Sequence, residues 1–212
     1  GPPWMPDQNG EQTRESGYFQ CTNRNKHSVA IDMATPEGQE LIREMAKTAD
    51  VVIENYKAGS LIRYGLDYDS LKVLNPQLVY CSITGFGQDG PRAAEPGYDF
   101  IIQGMAGLMS ITGEPDSIPG GGAQKVGVAV VDLQTGLYAT IAIQAALLAR
   151  QHTGRGQYID MSLLDVQIAG LANQGMNYLS SGKAPQRMGN THPNIVPYQT
   201  FRAKDKEFIV AL

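Results

Sequence analysis

Short apolar segments that alternate with helical segments constrain the fold of this chain most strongly. Residues 51–53 and 78–84 are runs of mostly apolar side chains, without the apolar–polar alternation of a half-exposed strand. Strands of this kind are buried on both faces, as in a parallel sheet covered by helices. The sequence therefore predicts an α/β fold with a Rossmann-like parallel sheet and helices on both faces. Ligands of such sheets bind at the carboxyl ends of the strands.

Further strands and helices follow from local patterns. Thr35 is a good helix cap, Pro36 suits the first helical position, and Glu37 suits the positive end of the helix dipole. The remaining predicted strands are residues 28–33, 126–131 and 158–161, with strand-like sequence resuming at Tyr198. The other predicted helices are residues 60–64, 70–74, 98–110, 133–151 (capped by Asp132) and 162–179.

The domain organisation follows from where these patterns stop. Residues 1–180 are expected to form a large Rossmann-like domain, and residues 181–197 are polar and rich in Pro and Gly, as in a linker. Residues 198–212 then read as the start of a smaller domain. The chain opens in loop-like sequence and closes inside a strand pattern. We therefore expect it to be a part of a longer protein.

Composition excludes several classes of function. The 212 residues carry a net charge of −4, which does not favour nucleic acid or an anionic membrane as a partner. No uninterrupted apolar run reaches the roughly 18 residues that span a bilayer. Cys21 and Cys81 lack metal or redox spacing, and the three histidines are scattered, so no metal site is expected. A reducing cytoplasmic or organellar compartment is the default expectation, and of the two we expect the cytoplasm.

A G-x-G-x-x-G pattern at residues 85–90 follows a predicted strand and could indicate dinucleotide binding. That fingerprint requires a helix to begin in the loop, so that its amino end meets the pyrophosphate. Pro91 and Pro96 oppose such a helix. A turn, or a loop close to another ligand, is the favoured interpretation, and NAD binding is kept only as an alternative.

Asp165 is the acidic residue of most interest. It follows the predicted helix cap Ser162 by three residues, which is the spacing of a capping box. Its structural interpretation is that the carboxylate reaches back to the backbone of the cap. Its functional interpretation is that the helix amino end keeps the carboxylate ionised and able to attack an acyl carbon. The residue pattern alone leaves both interpretations open.

An ordered set of segments resembles the class III coenzyme A-transferases, also called the CaiB/BaiF family. The segments are residues 23–26, 35–38, 54–56, 82–87, 90–91, 96–99, 153–157, 161–165 and 189–194. Each one is weak evidence, but together, in this order, they cover nearly the whole chain and are highly specific.

The resemblance implies an activity and a nucleophile. Asp165 matches the catalytic aspartate, whose carboxylate would form an aspartyl anhydride with the acyl donor and then an aspartyl-CoA thioester. Coenzyme A and acyl-CoA are implied as substrates, with no permanently bound cofactor, and a free carboxylic acid as acceptor. Residues 190–198 are most similar to members that handle dicarboxylates such as succinyl-CoA and glutarate. The resemblance also implies an interlocked homodimer.

Contacts to coenzyme A carry over in the same way. The implied coenzyme A-binding residues are Ile31, Asp32, Met33, Ala34, Asn55, Tyr56, Lys57, Arg63, Pro96, Gly97, Tyr98 and Asp99. Members of the family can carry lysine at the position of Ala34, so one contact is altered there. Further coenzyme A contacts, a glutamine near the acyl group and a glycine-rich loop belong to family segments that this chain does not contain.

Two other functions stay open. The related α-methylacyl-CoA racemases carry a His-Asp pair at the start of the long helix, where this chain has Val131 and Asp132. Because valine cannot accept a proton, racemisation by that route is disfavoured. A non-catalytic coenzyme A-binding protein or inactive fragment is the alternative from a different functional class.

Overall fold

A computed structural model describes residues 2–211, so Gly1 and Leu212, the outermost residues of the predicted domains, lie outside the described residues. The chain begins with an antiparallel hairpin of β1 (Trp4–Pro6) and β2 (Gln12–Ser16), followed by helix α1 (Gly17–Asn23). Ser16 caps this helix, accepting a hydrogen bond from the Phe19 amide at 3.1 Å. The expectation of a loop over residues 1–4 is therefore wrong at Trp4, where β1 begins.

The predicted parallel sheet is confirmed. Its strands are β3 (Val51–Glu54), β4 (Val79–Thr84) and β5 (Tyr158–Ser162), in the order β3–β4–β5. The central strand β4 pairs in parallel with both neighbours and is the most buried of the three. Val79, Tyr80 and Cys81 are each at most 2% exposed, as expected for a strand covered on both faces.

Helices cover both faces of this sheet. Tyr80 packs with α2 (Pro36–Thr48) and α3 (Tyr68–Leu74) on one face. The next residue, Cys81, points to the other face and packs with α6 (Val130–Thr153) and α7 (Leu163–Gly170). The predicted cap of α2 is confirmed, since Thr35 Oγ1 accepts a hydrogen bond from the Gly38 amide at 3.1 Å.

Helices and strands outside these layers complete the chain. Ile62–Tyr64 form a single 3-10 turn that ends at Gly65, whose φ is +64°. The other elements are α4 (Asp99–Met105), α5 (Leu108–Ile111), α8 (Ala172–Ser181), β6 (Gln199–Arg202) and β7 (Glu207–Val210). Strands β6 and β7 pair as an antiparallel hairpin, in agreement with the strand signal after residue 197.

Two predicted strands are wrong. Residues 28–33 are irregular and form no ladder with any described strand, and Val29 is 63% exposed. An alternating pattern becomes a strand only where a partner satisfies its backbone groups. Residues 126–131 are not a strand either, because α6 already begins at Val130 and buries Val131 against Ile102 and Leu163.

Two predicted helices are interrupted, and one predicted cap is wrong. Gly107, with φ +88°, separates α4 from α5, and Ala172, with φ +48°, begins α8 after α7. Asp132 is not the cap of α6. It is the third residue of that helix, and Ala129 occupies the cap position without a side-chain hydrogen bond.

Among the described residues, α6 is the one helix that is long and apolar enough, by length and composition, to cross a membrane. It also forms part of the core, because Val131, Thr135, Ala139 and Ala146 are buried. Its opposite side is apolar and exposed, with Leu133, Leu137 and Ile141 each between 59% and 65% exposed.

Candidate active site

Asp165 lies in the first turn of α7, at the carboxyl edge of the sheet. Ser162 caps that helix, accepting a hydrogen bond through Oγ from the Asp165 amide at 3.3 Å. The Leu164 amide donates to the Gly85 carbonyl at 3.1 Å, which fixes the helix start beside the loop that follows β4. The predicted helix start is therefore confirmed.

The Asp165 carboxylate does not complete a capping box. Its side chain is exposed, and it accepts no hydrogen bond from any described residue, the cap amide included. The Asp165 amide therefore takes part in capping the helix, as the structural interpretation requires, but the Asp165 carboxylate does not. A carboxylate in this situation is accessible to a substrate.

Two segments predicted to contact coenzyme A line one cleft of about 380 Å³ next to this helix start. They are separated by some forty positions in the sequence and meet because both follow carboxyl ends of neighbouring strands. The predicted residues that line the cleft are Asn55, Tyr56, Lys57, Pro96, Gly97 and Tyr98. Thr84 and Gly85, at the end of β4, also line it.

Backbone contacts hold the walls of this cleft together. Asn55 Nδ2 donates to the Ile83 carbonyl at 2.6 Å, so the loop after β3 is fastened to the end of β4. Gly85 and Gly97 pass so close that a Cβ on Gly85 would lie 2.4 Å from the Cα of Gly97. Only glycine permits this approach at both positions.

Other predicted contacts lie away from the cleft. Ile31, Asp32, Met33 and Ala34 form the turn that leads into α2, where Asp32 Oδ1 accepts a hydrogen bond from the Ala34 amide at 2.9 Å. Arg63 is exposed, and its guanidinium lies 4.5 Å from the centroid of the Tyr64 ring. These residues do not line the cleft that Asn55 and Gly97 share.

Asp99 has a structural role in this arrangement. Its Oδ1 accepts a hydrogen bond from the Val131 amide at 2.8 Å, and its Oδ2 accepts one from Gln103 Nε2 at 2.7 Å. The fully buried Gln103 in turn accepts a hydrogen bond from the Val126 amide at 2.8 Å. Asp99 thus anchors the first turn of α6, with both of its oxygens engaged by the protein.

Asp132 is a second candidate that the sequence interpretation set aside. It is the third residue of α6, as Asp165 is of α7. Its side chain is exposed, but partial desolvation raises the pKa of Asp132 above its usual value, and the negative charge of Asp99 raises it further. Perturbed carboxylates of this kind concentrate at functional sites. The signal in the sequence was an acid at the start of a long helix, where it was interpreted only as a cap.

A larger cleft of about 560 Å³ lies over the opposite face of the sheet. Tyr68 stacks on Tyr158 with ring centroids 5.3 Å apart, and the Tyr80 ring lies 5.9 Å from the Tyr158 ring. Burial raises the pKa of the Tyr80 hydroxyl strongly, and the hydroxyl donates to the Leu66 carbonyl at 3.1 Å. Lys57 lines this cleft as well as the smaller one. No pattern in the sequence predicted this larger cleft.

Comparison with known proteins establishes the family. The family model described as CoA-transferase family III matches residues 3–212. The chain is 56% identical over 212 residues to a succinate–glutarate CoA-transferase of Agrobacterium fabrum, covering all of this chain and 52% of that protein. It is 43% identical over 210 residues to the mouse succinyl-CoA:glutarate CoA-transferase, covering 99% of this chain and 46% of that protein.

A solved structure gives the same result. A CAIB/BAIF family protein from Brucella suis is 57% identical and superposes with a TM-score of 0.88, covering all of this chain and 54% of that one. The chain therefore belongs to CoA-transferase family III, the CaiB/BaiF family. It spans about half the length of the curated relatives it matches.

Proposed function

We propose that this protein transfers coenzyme A from a dicarboxylyl-CoA thioester to a free dicarboxylate, with succinyl-CoA and glutarate as the leading pair. The supporting observation is the similarity, over the whole chain, to relatives named for that reaction. The cleft beside two helix starts that carry unengaged carboxylates fits this chemistry.

The proposed reaction proceeds through covalent intermediates on an aspartate. The carboxylate attacks the thioester carbonyl of the donor, the C–S bond breaks, and a mixed anhydride and free CoA thiolate form. The thiolate then attacks the aspartyl carbonyl, which releases the donor acid and leaves an aspartyl-CoA thioester. The acceptor carboxylate repeats these two steps in reverse, and the final attack of the thiolate on the acceptor acyl carbon restores the aspartate.

The cleft has a defined part in this proposal. Lys57 is exposed at its rim, and its charge suits a phosphate of coenzyme A. The backbone contact of Gly85 with Gly97 places the cleft wall beside the Leu164 amide, one residue before Asp165. We propose that the remaining predicted contacts at residues 31–34 and Arg63 meet more distant parts of coenzyme A.

The identity of the nucleophile is the sharpest question. Asp165 is the residue that the family resemblance implies, and its exposed carboxylate suits attack on a bound thioester. Asp132 is favoured by a different observation, the raised pKa that partial desolvation and Asp99 cause. The Asp132 side chain is exposed like that of Asp165, so exposure does not distinguish the two candidates.

Trapping the intermediate tests both assignments. The protein in its full-length native form is incubated with succinyl-CoA, and peptides are searched by mass spectrometry for a covalent CoA or succinyl adduct. We expect an adduct on the peptide that contains Asp165, lost in Asp165→Asn together with transferase activity. Asp132→Asn is the matched variant, and Asp205→Asn, in the exposed turn between β6 and β7, is the control.

Each outcome has a defined meaning. An adduct on the peptide with Asp132, abolished by Asp132→Asn alone, would move the nucleophile to α6 and leave the transferase proposal intact. Binding of coenzyme A without any adduct or turnover would overturn the transferase proposal in favour of a coenzyme A-binding protein. Racemisation by a histidine base has little support, since Val131 is fully buried in an apolar cluster.

We also propose a homodimer, as the family resemblance implies. The exposed apolar side of α6, formed by Leu133, Leu137 and Ile141, is a surface that a second subunit would cover. Light scattering of the full-length protein tests this proposal, and a monomer at micromolar concentration would contradict it.

A further inference from the structure

Several buried polar side chains of α6 and α7, two helices that pack against each other, have no hydrogen-bond partner. Within the described residues, Gln134 Oε1, Thr135 Oγ1 and both amide atoms of Gln167 have no partner. Gln167 is 1% exposed and Thr135 is 2% exposed, so bulk water does not reach them.

Two of these atoms converge on one glycine. A Cβ placed on Gly170 would lie 2.6 Å from Gln134 Oε1 and 3.4 Å from Gln167 Nε2. The two atoms are therefore no more than about 6 Å apart, and a single water with hydrogen bonds of about 2.8 Å joins atoms up to about 5.6 Å apart. One atom is an acceptor and the other a donor, which a water molecule can satisfy at the same time.

The energetic argument favours a bound ligand at this place. A buried amide that lacks a partner loses its hydration without compensation, and folded proteins retain very few such groups. Buried waters typically bind to about three otherwise unsatisfied polar groups. The Thr135 hydroxyl on α6 and Gln167 Oε1 on α7 are also without partners among the described residues.

We propose that an ordered water molecule binds between α6 and α7, held by Gln134 Oε1 and Gln167 Nε2. It fastens together the turns that directly follow Asp132 and Asp165, and so fixes the spacing of the two helix starts. The water site does not depend on which reaction the protein catalyses.

A high-resolution crystal structure of the full-length protein tests the site directly. We expect solvent density within hydrogen-bond distance of both Gln134 Oε1 and Gln167 Nε2. A direct hydrogen bond between the two amides, or a dry contact with no solvent density, would overturn the proposal.

Thermal unfolding gives an independent test. Gln167→Met removes the donor at nearly constant volume. If the amide holds a water that Gln134 also binds, the substitution strands the water and the Gln134 oxygen, and Tm falls. If the amide is merely unsatisfied, its removal leaves Tm unchanged or raises it, which would refute the proposal.

A double variant tests whether Gln134 and Gln167 bind the same water. With a shared water, Gln134→Met and Gln167→Met together lower Tm by less than the sum of their separate effects. If the two changes in Tm add exactly, the side chains do not share a water, which would contradict the proposal. Gln144→Met, on the exposed side of α6, is the matched control and should leave Tm nearly unchanged.

Discussion

At the scale of single residues, the surroundings of the Asp132 carboxylate change its pKa. Asp99 holds the Val131 amide at 2.8 Å, which places one negative charge near another at the start of α6. Partial desolvation and this neighbouring charge both disfavour ionisation, so the pKa of Asp132 is raised. The folded protein is therefore less stable with Asp132 ionised than with it protonated.

We predict that Asp132→Asn stabilises the protein at neutral pH. A carboxyl whose pKa is higher in the folded than in the unfolded state binds protons preferentially in the folded state. Its destabilising effect is present above the folded pKa and disappears as pH falls below the unfolded value of about 4. Thermal scans should therefore show a higher Tm for the variant at pH 7 and a gap that closes toward acid pH.

The control for this prediction is Asp205→Asn, in the exposed turn before β7. It should not produce the same pH-dependent gain. An Asp132→Asn variant with an unchanged or lower Tm at pH 7 would contradict the electrostatic account of this site.

At the scale of the elements, the contact between the loops that follow β4 and precede α4 shapes the candidate site. A Cβ on Gly97 would lie 2.3 Å from the Cα of Gly85, and backbone atoms cannot move aside as a flexible side chain can. Gly85 also accepts the hydrogen bond that fixes the start of α7. The cleft and the first turn of α7 are therefore coupled through this contact.

We predict that Gly97→Ala destabilises the protein by about 1–3 kcal/mol, the range for overpacking a close contact. Coenzyme A affinity should fall in the same variant, because the walls of the cleft must separate. Urea denaturation measures the first effect, and titration calorimetry measures the second.

Gly127→Ala is the matched control, since no atom lies within 4 Å of the position that its Cβ would take. Equal stabilities of the two alanine variants would show that the Gly85–Gly97 contact is not a structural constraint.

At the scale of the whole molecule, α6 is fastened at both ends to the sheet and its loops. Asp99 holds the first turn of α6, and Arg150 holds its last turn. Arg150 donates to Asp50 Oδ1 at 2.7 Å and to the Gln77 carbonyl at 3.0 Å, which joins the helix to the loops before β3 and β4. A planar guanidinium suits both acceptors at once.

We predict that Arg150→Ala destabilises the protein by about 1–3 kcal/mol, because it leaves a carbonyl without its partner and removes a packed side chain. Asp50→Ala should cost less than about 1 kcal/mol, since that carboxylate is 75% exposed. The loss of stability in Arg150→Lys should lie between these two values, because the lysine ammonium does not reproduce the planar arrangement of guanidinium donors that suits both acceptors.

Urea denaturation of the three variants gives the comparison. If Asp50→Ala costs as much as Arg150→Ala, the ion pair rather than the carbonyl contact is the stabilising interaction, and the prediction is wrong.

Local patterns in the sequence determined the fold class and most element starts. The caps Thr35 and Ser162 were predicted correctly, because a cap is a contact between residues three apart, which the sequence contains in full. The buried strand β4 was predicted for a similar reason, since a strand covered on both faces must be apolar along its length. The same patterns drew attention to Asp165.

Which segments pair and which side chains meet depended on contacts between distant parts of the chain. Residues 28–33 carry a strand pattern, but a strand requires a hydrogen-bonded neighbour, and no described strand pairs with them. Residues 55–57 and 96–98 share one cleft because β3 and β4 end at the same edge of the sheet. Asp99 holds the start of α6 across thirty-two positions of sequence. Contacts at such separations depend on the path of the chain in space, which no local pattern contains.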